Sequence, residues 1–318
     1  MITNNLNIAI DALTNNKVVA IPTETVYGLA GNAFNENVIH QIFVLKKRPH
    51  FNPLIVHIES INYLEKVAVG IPAMAYRLAA HFWPGPLTLI LKKHPSIPDL
   101  VTSGKETVGI RVPNHPVTLA LLHAIQFPLA APSANPFGSI SPTTAEHVES
   151  YFKDDLEVIL NGGACEKGIE STIIGFEDNE PILYRHGSIA IEEIEKITGK
   201  IKVNNKNDIN PVSPGMLSRH YAPSTPTYLT SNPAEMKKFF EGEKIGLLLF
   251  QKKLSGHSII HQEILSQKGD FNEAAQNLYA ALHRLDNAGL DIIIAERFPD
   301  EGIGKTINDR LQRAVKKN

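Results

Sequence analysis

Basic side chains follow or interrupt predicted strands, in places where an isolated charge is costly. Arg111 lies inside the otherwise apolar sequence VGIRV, and Arg185 directly follows the apolar segment PILY. A charge in a buried strand must be paired or face a cavity. For both arginines, a bound carboxylate or phosphate explains the charge as well as a carboxylate of the protein does.

A third basic position, Lys46–Arg48, ends a predicted helix just before the predicted strand Pro53–Ile58. Basic residues at a helix C-terminus commonly interact with the helix dipole, and for this segment taken alone that interpretation is favoured. The functional alternative is an anion-binding cluster.

Three loops with hydroxyl side chains flank predicted strands: Pro22–Thr25, Pro132–Pro136 and Glu170–Thr172. Serine, threonine and asparagine are common in turns, so one such loop carries no functional information. Ligand sites of α/β proteins form where loops meet at the mouth of a sheet. Three such loops, together with three basic positions, predict one anion-lined cavity.

Covalent catalysis and a protein-bound metal are poorly supported. Ser133 lies outside any GxSxG motif, and the single cysteine, Cys165, lies in a glycine-rich turn. The 13 histidines form no HExxH motif, so we predict no metal site and no prosthetic group. Any Mg²⁺ would arrive with a nucleotide, held mainly by phosphate oxygens. Such a site suits positioning and charge neutralisation, which phosphoryl or nucleotidyl transfer requires.

Composition narrows the class of protein. The chain has 318 residues, with 31 Lys and Arg against 33 Asp and Glu, so its formal charge is −2. That balance excludes a globally basic nucleic-acid binder, and one cysteine excludes an internal disulfide framework. The N-terminus lacks the pattern of a secretory signal, and the apolar runs are too short to span a bilayer. We expect a soluble, cytoplasmic protein.

The order of predicted elements indicates two domains. Helices and strands alternate through the first 200 residues, where Thr143 and Glu146 predict a capping box that opens a helix. The proline-rich segment Lys200–Pro226 has almost no periodicity and reads as either a linker or a lid. After it, apolar strands alternate with helices, which predicts a small parallel sheet. We therefore expect domains at residues 1–200 and 227–318, joined by a linker or lid at 201–226.

A series of motifs runs in order through most of the chain up to Pro223: PTETVYGLAG, KKRP followed by NPL, WPGPLTLIL, VGIRVP, APSAN, ESTI, RHG and SPGMLSRHYAP. In these motifs the chain resembles the long, two-domain form of the threonylcarbamoyl-AMP synthase family, whose catalytic domain is YrdC-like. The resemblance implies a twisted mixed sheet with helices around a basic cavity. It also implies a smaller Rossmann-like parallel α/β domain, in which the C-terminal sequence GIGKTINDRLQRA lies.

The resemblance also implies a reaction. L-Threonine, bicarbonate and ATP would give L-threonylcarbamoyladenylate and pyrophosphate, and the product would pass to the machinery that makes t6A at position 37 of tRNA. A threonine carbamate would attack the α-phosphate of ATP, while basic residues stabilise the charge that develops on the phosphates. Direct contact with tRNA is left open.

Site residues are carried over motif by motif. On the threonine side, the resemblance implies Thr25, His57, Arg111, the backbone of Ala131, and Ser171. On the ATP side it implies Arg48, Asn52, Thr107, Ser133, Ser141, Arg185, Arg219, His220 and Tyr221. Lys46, Arg48, Ser133 and Asn135 form the KxR and SxN pairs that we assign to catalysis. Since Arg219, His220 and Tyr221 would fold back over the nucleotide, the linker is interpreted as a lid.

Two other functions compete with this one. A YrdC-like domain presents a concave basic surface that could hold double-stranded RNA or tRNA without catalysis. The long linker motif argues against a plain RNA clamp. Hydrogenase-maturation proteins carry a related domain, but they also carry zinc-finger cysteines, and this chain has one cysteine.

Overall fold

The computed structural model describes residues 1–205, 214–216, 220–255 and 259–315. Its strands are β1 Ile2–Thr3, β2 Val19–Ile21, β3 Gly28–Asn32, β4 Ile55–His57, β5 Leu87–Lys92, β6 Thr107–Arg111, β7 Leu129–Ala130, β8 Val158–Leu160, β9 Thr172–Glu177, β10 Glu180–Arg185, β11 Lys202–Val203, β12 Thr227–Thr230, β13 Ile245–Leu249, β14 Ile259–Ile264 and β15 Ile292–Glu296. Its α-helices are α1 Leu6–Thr14, α2 Glu36–Lys46, α3 Ala73–Phe82, α4 Asp99–Thr102, α5 Pro116–Ile125, α6 Ala145–Phe152, α7 Ile191–Thr198, α8 Pro233–Met236, α9 Phe271–Asp286 and α10 Ile303–Ala314. Short 3-10 helices lie at Ile61–Lys66, Lys153–Asp155 and Lys237–Phe240.

Two sheets organise the described chain. The first has 11 strands in the order β1-β8-β2-β3-β7-β4-β6-β5-β9-β10-β11, with parallel and antiparallel neighbours. The second has four parallel strands in the order β12-β15-β13-β14. The predicted mixed sheet and smaller parallel sheet are confirmed. Strand β11 pairs with β10, so the first sheet extends to Val203, just past the predicted boundary at residue 200.

Helix α2 shows how local sequence sets the position of the basic KxR segment. The Asn35 side chain accepts hydrogen bonds from the amides of Asn37 and Val38, which caps the helix N-terminus. Val38, Ile39, Ile42 and Phe43 bury one face against the sheet. Lys47 then adopts a left-handed conformation with φ 49°, which ends the helix. The chain consequently turns Arg48 inward, and it is 6% exposed.

One helix begins one residue away from its predicted start, and three other elements escaped the sequence prediction. The N-cap of α6 is Thr144, which accepts from the His147 amide, so the predicted capping box at Thr143 was one residue out. Strand β3 is glycine-rich and lacks the β-branched residues that mark strands. Helix α5 is apolar nearly all round, so it shows no helical stripe. Strand β14 is a partly exposed edge strand with a weak apolar pattern.

No helix among the described residues has both the length and the apolar character that crossing a bilayer would take.

The two sheets are held against each other by close backbone packing as well as by side chains. Gly168, with φ +68°, lies so close to α9 that a Cβ atom there would be 2.3 Å from the carbonyl oxygen of Gln276. Thr306 of α10 donates a hydrogen bond to the carbonyl of Gly187 at 2.9 Å. The second sheet and its helices therefore pack directly on the loops that end the first sheet.

We expect Gly168→Ala to lower the free energy of unfolding, because the added methyl group meets backbone that cannot move aside. The matched control is Gly70→Ala, since Gly70 also has a positive φ, +59°, but open space around it. Urea denaturation should show a loss larger by roughly 2 kcal/mol for Gly168→Ala. Equal losses for the two variants would mean that the close approach contributes nothing.

Candidate active site

One cavity at the edge of the first sheet collects residues from distant parts of the chain. The space free of protein atoms between its lining residues measures about 560 Å³, a volume that includes open solvent. Its lining residues are Thr23, Thr25, Val26, Tyr27, Gly28, Arg48, Ile55, His57, Arg111, Ala131, Pro132, Ser133, Glu170, Ser171, Arg185, Pro214, Gly215, His220 and Tyr221. The three hydroxyl loops and all three basic positions of the sequence analysis contribute to this set or contact it.

The residues predicted for the threonine side lie together. His57 and Arg111 are the last residues of β4 and β6, and they pair in register across these parallel strands. Arg111 donates from Nη1 to the Thr25 hydroxyl at 2.9 Å and from Nε to the carbonyl of Gly85 at 3.2 Å. Ala131 and Ser171 line the same wall. The register of two short strands thus brings a cation and an imidazole to one point.

The structure gives Arg111 a protein partner. Its Nη2 lies 2.6 Å from a carboxylate oxygen of Glu24, and both side chains are buried. The charge in the apolar strand is thereby compensated without a ligand, which decides between the two explanations left open by the sequence. Three of the five N–H groups of the guanidinium contact protein atoms, and the remaining donors can serve a bound carboxylate.

His57 is neutral at physiological pH. Burial, with the nearby charge of Arg111 as the next contribution, lowers the pKa of its imidazole to about 3. Its Nδ1 is buried and has no hydrogen-bond partner among the described residues. A neutral imidazole with a free nitrogen can exchange hydrogen bonds with a hydroxyl or amine without adding charge to the cavity.

Two buried arginines, Arg48 and Arg185, also contribute to the cavity lining. Arg48 donates from Nε to the carbonyl of Asn52 at 3.0 Å and from Nη2 to that of Pro53 at 2.8 Å. Arg185 donates from Nε and Nη2 to the carbonyl of Ser171, at 3.1 and 2.9 Å. Neither guanidinium forms an ion pair within the described part of the chain. Two buried positive charges held by neutral groups have the chemical character that binding an anion requires.

Burial affects both guanidinium groups. It is the main reason why the pKa of Arg48 falls to about 9, and it also lowers the pKa of Arg185. The charged form of each side chain is therefore less favourable here than in water. An arriving anion would offset that penalty.

Lys46 supports the cavity from behind. Its buried Nζ lies 2.5 Å from the carbonyl oxygens of Ser133 and of Asn135. Burial, and after it the charge of Arg48, lowers the pKa of Lys46 well below its usual value. Lys46 and Asn135 do not line the cavity, whereas Ser133 does. The KxR and SxN motifs thus meet, but through the lysine and the backbone of the SxN loop.

The linker covers the cavity. Pro214, Gly215, His220 and Tyr221 belong to its lining, and the carbonyl of Pro214 accepts from Nη1 of Arg185 at 3.1 Å. The following residue, Ala222, donates its amide to the carbonyl of Gly138 at 2.8 Å.

Met216 anchors this cover. It is 1% exposed and belongs to an apolar cluster whose other members are Ile55, Ile90, Ile173, Ile182 and Tyr184. Arg219 lies outside the described residues.

Three residues predicted for ATP do not line the cavity. Thr107 is the first residue of β6, four positions before Arg111, and Asn52 lies three residues before the start of β4. Asn52 is fully buried, and its side-chain amide has no hydrogen-bond partner among the described residues. Ser141 donates its hydroxyl to Glu170 at 2.7 Å, so that group is already engaged.

Sequence reasoning missed the acidic members of the site. Glu24 and Glu170 each directly precede a hydroxyl residue in loops that were noted only for their hydroxyls. Both are buried, and each has an arginine partner, Arg111 for Glu24 and Arg310 for Glu170. An acidic residue in two of the three hydroxyl loops was the available signal. The partner Arg310 comes from α10, and nothing local in the sequence connects it to this cavity.

Comparison with known proteins assigns the chain to a family. A family profile described as "Telomere recombination" matches residues 11–187, and one described as "Threonylcarbamoyl-AMP synthase, C-terminal domain" matches residues 189–315. The threonylcarbamoyl-AMP synthase of Pyrococcus abyssi is 40% identical over 323 residues, covering 97% of this chain and 93% of that protein. The enzyme of the same name from Bacillus subtilis is 41% identical over 313 residues, covering 95% and 90%.

Solved structures agree with the sequence comparisons. Pyrococcus abyssi Sua5 complexed with L-threonine superposes with a TM-score of 0.89 at 38% identity, covering 98% of this chain and 96% of that one. Escherichia coli YciO, at 23% identity and a TM-score of 0.52 over 59% of this chain, shares the fold of the first domain. The chain belongs to the threonylcarbamoyl-AMP synthase family, in its two-domain form.

Proposed function

We propose that this chain makes L-threonylcarbamoyladenylate and pyrophosphate from L-threonine, bicarbonate and ATP. The observation that carries the proposal is the division of charge within one cavity. Arg111 and Glu24 form a buried pair with no net charge. Arg48 and Arg185 are buried with neutral hydrogen-bond partners. A zwitterionic amino acid matches the first pair of residues, and a polyphosphate matches the second.

Threonine would bind at the ends of β4 and β6. Its carboxylate would take the remaining donors of Arg111, since a planar guanidinium suits bidentate pairing. Its hydroxyl lies within the reach of neutral groups, namely His57, Thr25 and Ser171. Because these partners are neutral, they hold the amino acid without attracting the triphosphate away from Arg48 and Arg185.

The chemistry proceeds in two steps. Threonine's amine and bicarbonate condense to a carbamate with loss of water. A carbamate oxygen then attacks the α-phosphorus of ATP, a new P–O bond forms, and the bond to the pyrophosphate oxygen breaks. Arg48 and Arg185 stabilise the negative charge that develops on the phosphates in the transition state. Ser133, on the loop held by Lys46, would donate to a phosphate oxygen.

The linker would exclude water while these labile species exist. A carbamate and a mixed carbamic–phosphoric anhydride are both sensitive to hydrolysis, so a covered cavity favours their survival. Tyr221 and His220 are 1% and 6% exposed and form part of that cover.

Mg²⁺ would enter as part of the substrate. The described residues include no group of three His, Cys, Asp or Glu side chains placed to hold a metal ion. Phosphate oxygens would then supply most of its ligands, as is common for Mg²⁺ with nucleotides. The product would pass to the enzyme that transfers its threonylcarbamoyl group to adenosine 37 of tRNA. We place this activity in the cytoplasm.

The synthase requires all three substrates at once. Pyrophosphate release should occur with ATP, threonine and bicarbonate together and should drop to background when any one is omitted. A coupled pyrophosphate assay on the full chain measures this. If the protein binds double-stranded RNA but forms no pyrophosphate with any combination of substrates, the alternative of an RNA-binding protein without catalysis is favoured instead.

Arg111→Met should raise the KM for threonine by about 10- to 100-fold, because a charge-assisted contact is lost. It should also destabilise the fold, since Glu24 is left as an unpaired buried carboxylate. Adding Glu24→Gln should restore stability but not threonine affinity. A near-normal KM for threonine in either variant would show that Arg111 does not bind the carboxylate of threonine.

Gly215→Ala should weaken ATP binding, because the added methyl group would push the lid away from Arg185. Gly215 has φ +87°, and a Cβ atom would be 2.7 Å from both Cδ of Arg185 and Oη of Tyr221. We expect the KM for ATP to rise about fivefold, which corresponds to roughly 1 kcal/mol. Gly138→Ala is the matched control, with φ +85° and open space. An equal change in the two variants would show that backbone strain alone is responsible.

A further inference from the structure

The cavity has a wall residue, Glu170, whose carboxylate is surrounded by groups from both domains. Its Oε1 accepts from the Ser141 hydroxyl at 2.7 Å, and the Tyr279 hydroxyl lies 3.0 Å from both of its oxygens. Its Oε2 accepts from Nε of Arg310 at 2.7 Å. Tyr279 and Arg310 belong to α9 and α10 of the second domain. The second domain therefore contributes directly to the support of the cavity.

Arg310 is placed to connect three parts of the chain. It is 1% exposed, and besides Glu170 it donates to the carbonyl of His186 and to Asp309, each at 2.7 Å. Its guanidinium carbon lies 4.9 Å from the ring centre of Tyr221, in the lid. One buried side chain thus touches the strand-end loop after β10, the wall carboxylate and the lid.

Glu170 is also the carboxylate that could compete with the nucleotide. It directly precedes Ser171, whose carbonyl and hydroxyl hold Arg185. The charge of Arg185 acts on Glu170 in turn. Without another cation nearby, the Glu170 carboxylate would attract Arg185. The guanidinium of Arg185 would then no longer be available to bind the phosphates.

We infer that Arg310, although it lies in the second domain, is a positioning residue of the active site: by pairing with Glu170 it leaves Arg185 available to the triphosphate. The inference rests on the proposed function and adds a role for the second domain to it. Arg310 itself need not touch substrate.

The protonation of Glu170 offers a readout specific to this role. Burial works to raise its pKa, but the charges of Arg310 and then of Arg185 outweigh burial, so its pKa lies below the usual range. Without Arg310, burial should raise the pKa of Glu170. Below that raised pKa Glu170 is neutral and leaves Arg185 alone; above it, the carboxylate is ionised and draws Arg185 away. Activity of such a variant should therefore fall as pH rises.

Other titratable groups surround Glu170, and the variant that also carries Glu170→Gln separates their pH dependence from that of Glu170 itself. The titratable and charged groups that face it or its direct partners are Arg185 from β10, His186 after β10, Tyr221 from the linker, Tyr279 and His283 from α9, and Asp309 and Arg310 from α10. Burial raises the pKa of both tyrosines, which stay protonated. Burial lowers the pKa of His283 to about 3 and also lowers that of His186. Asp309 has a lowered pKa, since its arginine neighbours outweigh its burial.

The test compares four full-length proteins in the pyrophosphate assay: wild type, Arg310→Met, Arg310→Met with Glu170→Gln, and Lys305→Met. Lys305 pairs with Glu192 across the same domain interface at 2.6 Å, but at the surface. At pH 8 we expect Arg310→Met to raise the KM for ATP by about tenfold, with a smaller change in kcat. Lowering the pH to 6 should recover part of the loss.

The double variant and the surface control decide the cause. Glu170→Gln in the Arg310→Met background should recover ATP affinity at both pH values, and Lys305→Met should stay within about twofold of wild type. A loss that is independent of pH and not recovered by Glu170→Gln would overturn the inference. If Arg310→Met does not fold, the folded double variant still tests the inference. A tenfold raised KM for ATP in the double variant would overturn the inference, and a near-normal KM would support it. Absence of activity in the wild type would refute the proposed function itself.

Discussion

The central constraint on this molecule is the burial of two guanidinium groups, which are held by neutral carbonyl and hydroxyl groups and form no ion pair among the described residues. Arg48 and Arg185 could be stabilised more simply by nearby carboxylates, but those would occupy the positions that phosphates need. Backbone carbonyls orient the two side chains and leave the charge in place. The surrounding structure then has to keep acidic groups engaged elsewhere, which Arg111 does for Glu24 and Arg310 does for Glu170.

This constraint also explains the character of the interface between the two domains. A buried network of Glu170, Tyr279, Arg310 and Asp309 is weak support for stability, because desolvation opposes most of what ion pairing contributes. Its geometry is nevertheless well defined, since nearly every donor and acceptor has a partner at 2.7 to 3.0 Å. A specific relative placement of the domains is what such a network provides.

Sequence could predict the parts of the site that depend on local pattern and short-range register. The apolar patterns located the two strands that carry His57 and Arg111, whereas their convergence was implied only by the family resemblance, because the pairing of β4 with β6 is not a local property of the sequence. The same reasoning could not place Ser141 or Thr107 relative to the cavity, because that depends on which loop atoms each hydroxyl meets. It also could not link Glu170 with Arg310, since 140 residues separate them and the pairing arises only from packing of α10 on the first domain.

The cover over the cavity is attached by a contact of a different kind from those that hold the ligands. Met216 inserts into an aliphatic patch built by Ile55, Ile90, Ile173 and their neighbours, so its hold depends on excluding water and is hardly screened by salt. The phosphate binding that we propose for Arg48 and Arg185 is electrostatic in origin. Ionic strength and cooling should therefore affect different steps. Added salt should weaken the binding of nucleotide, whereas low temperature should weaken the apolar contact that holds the cover over the cavity.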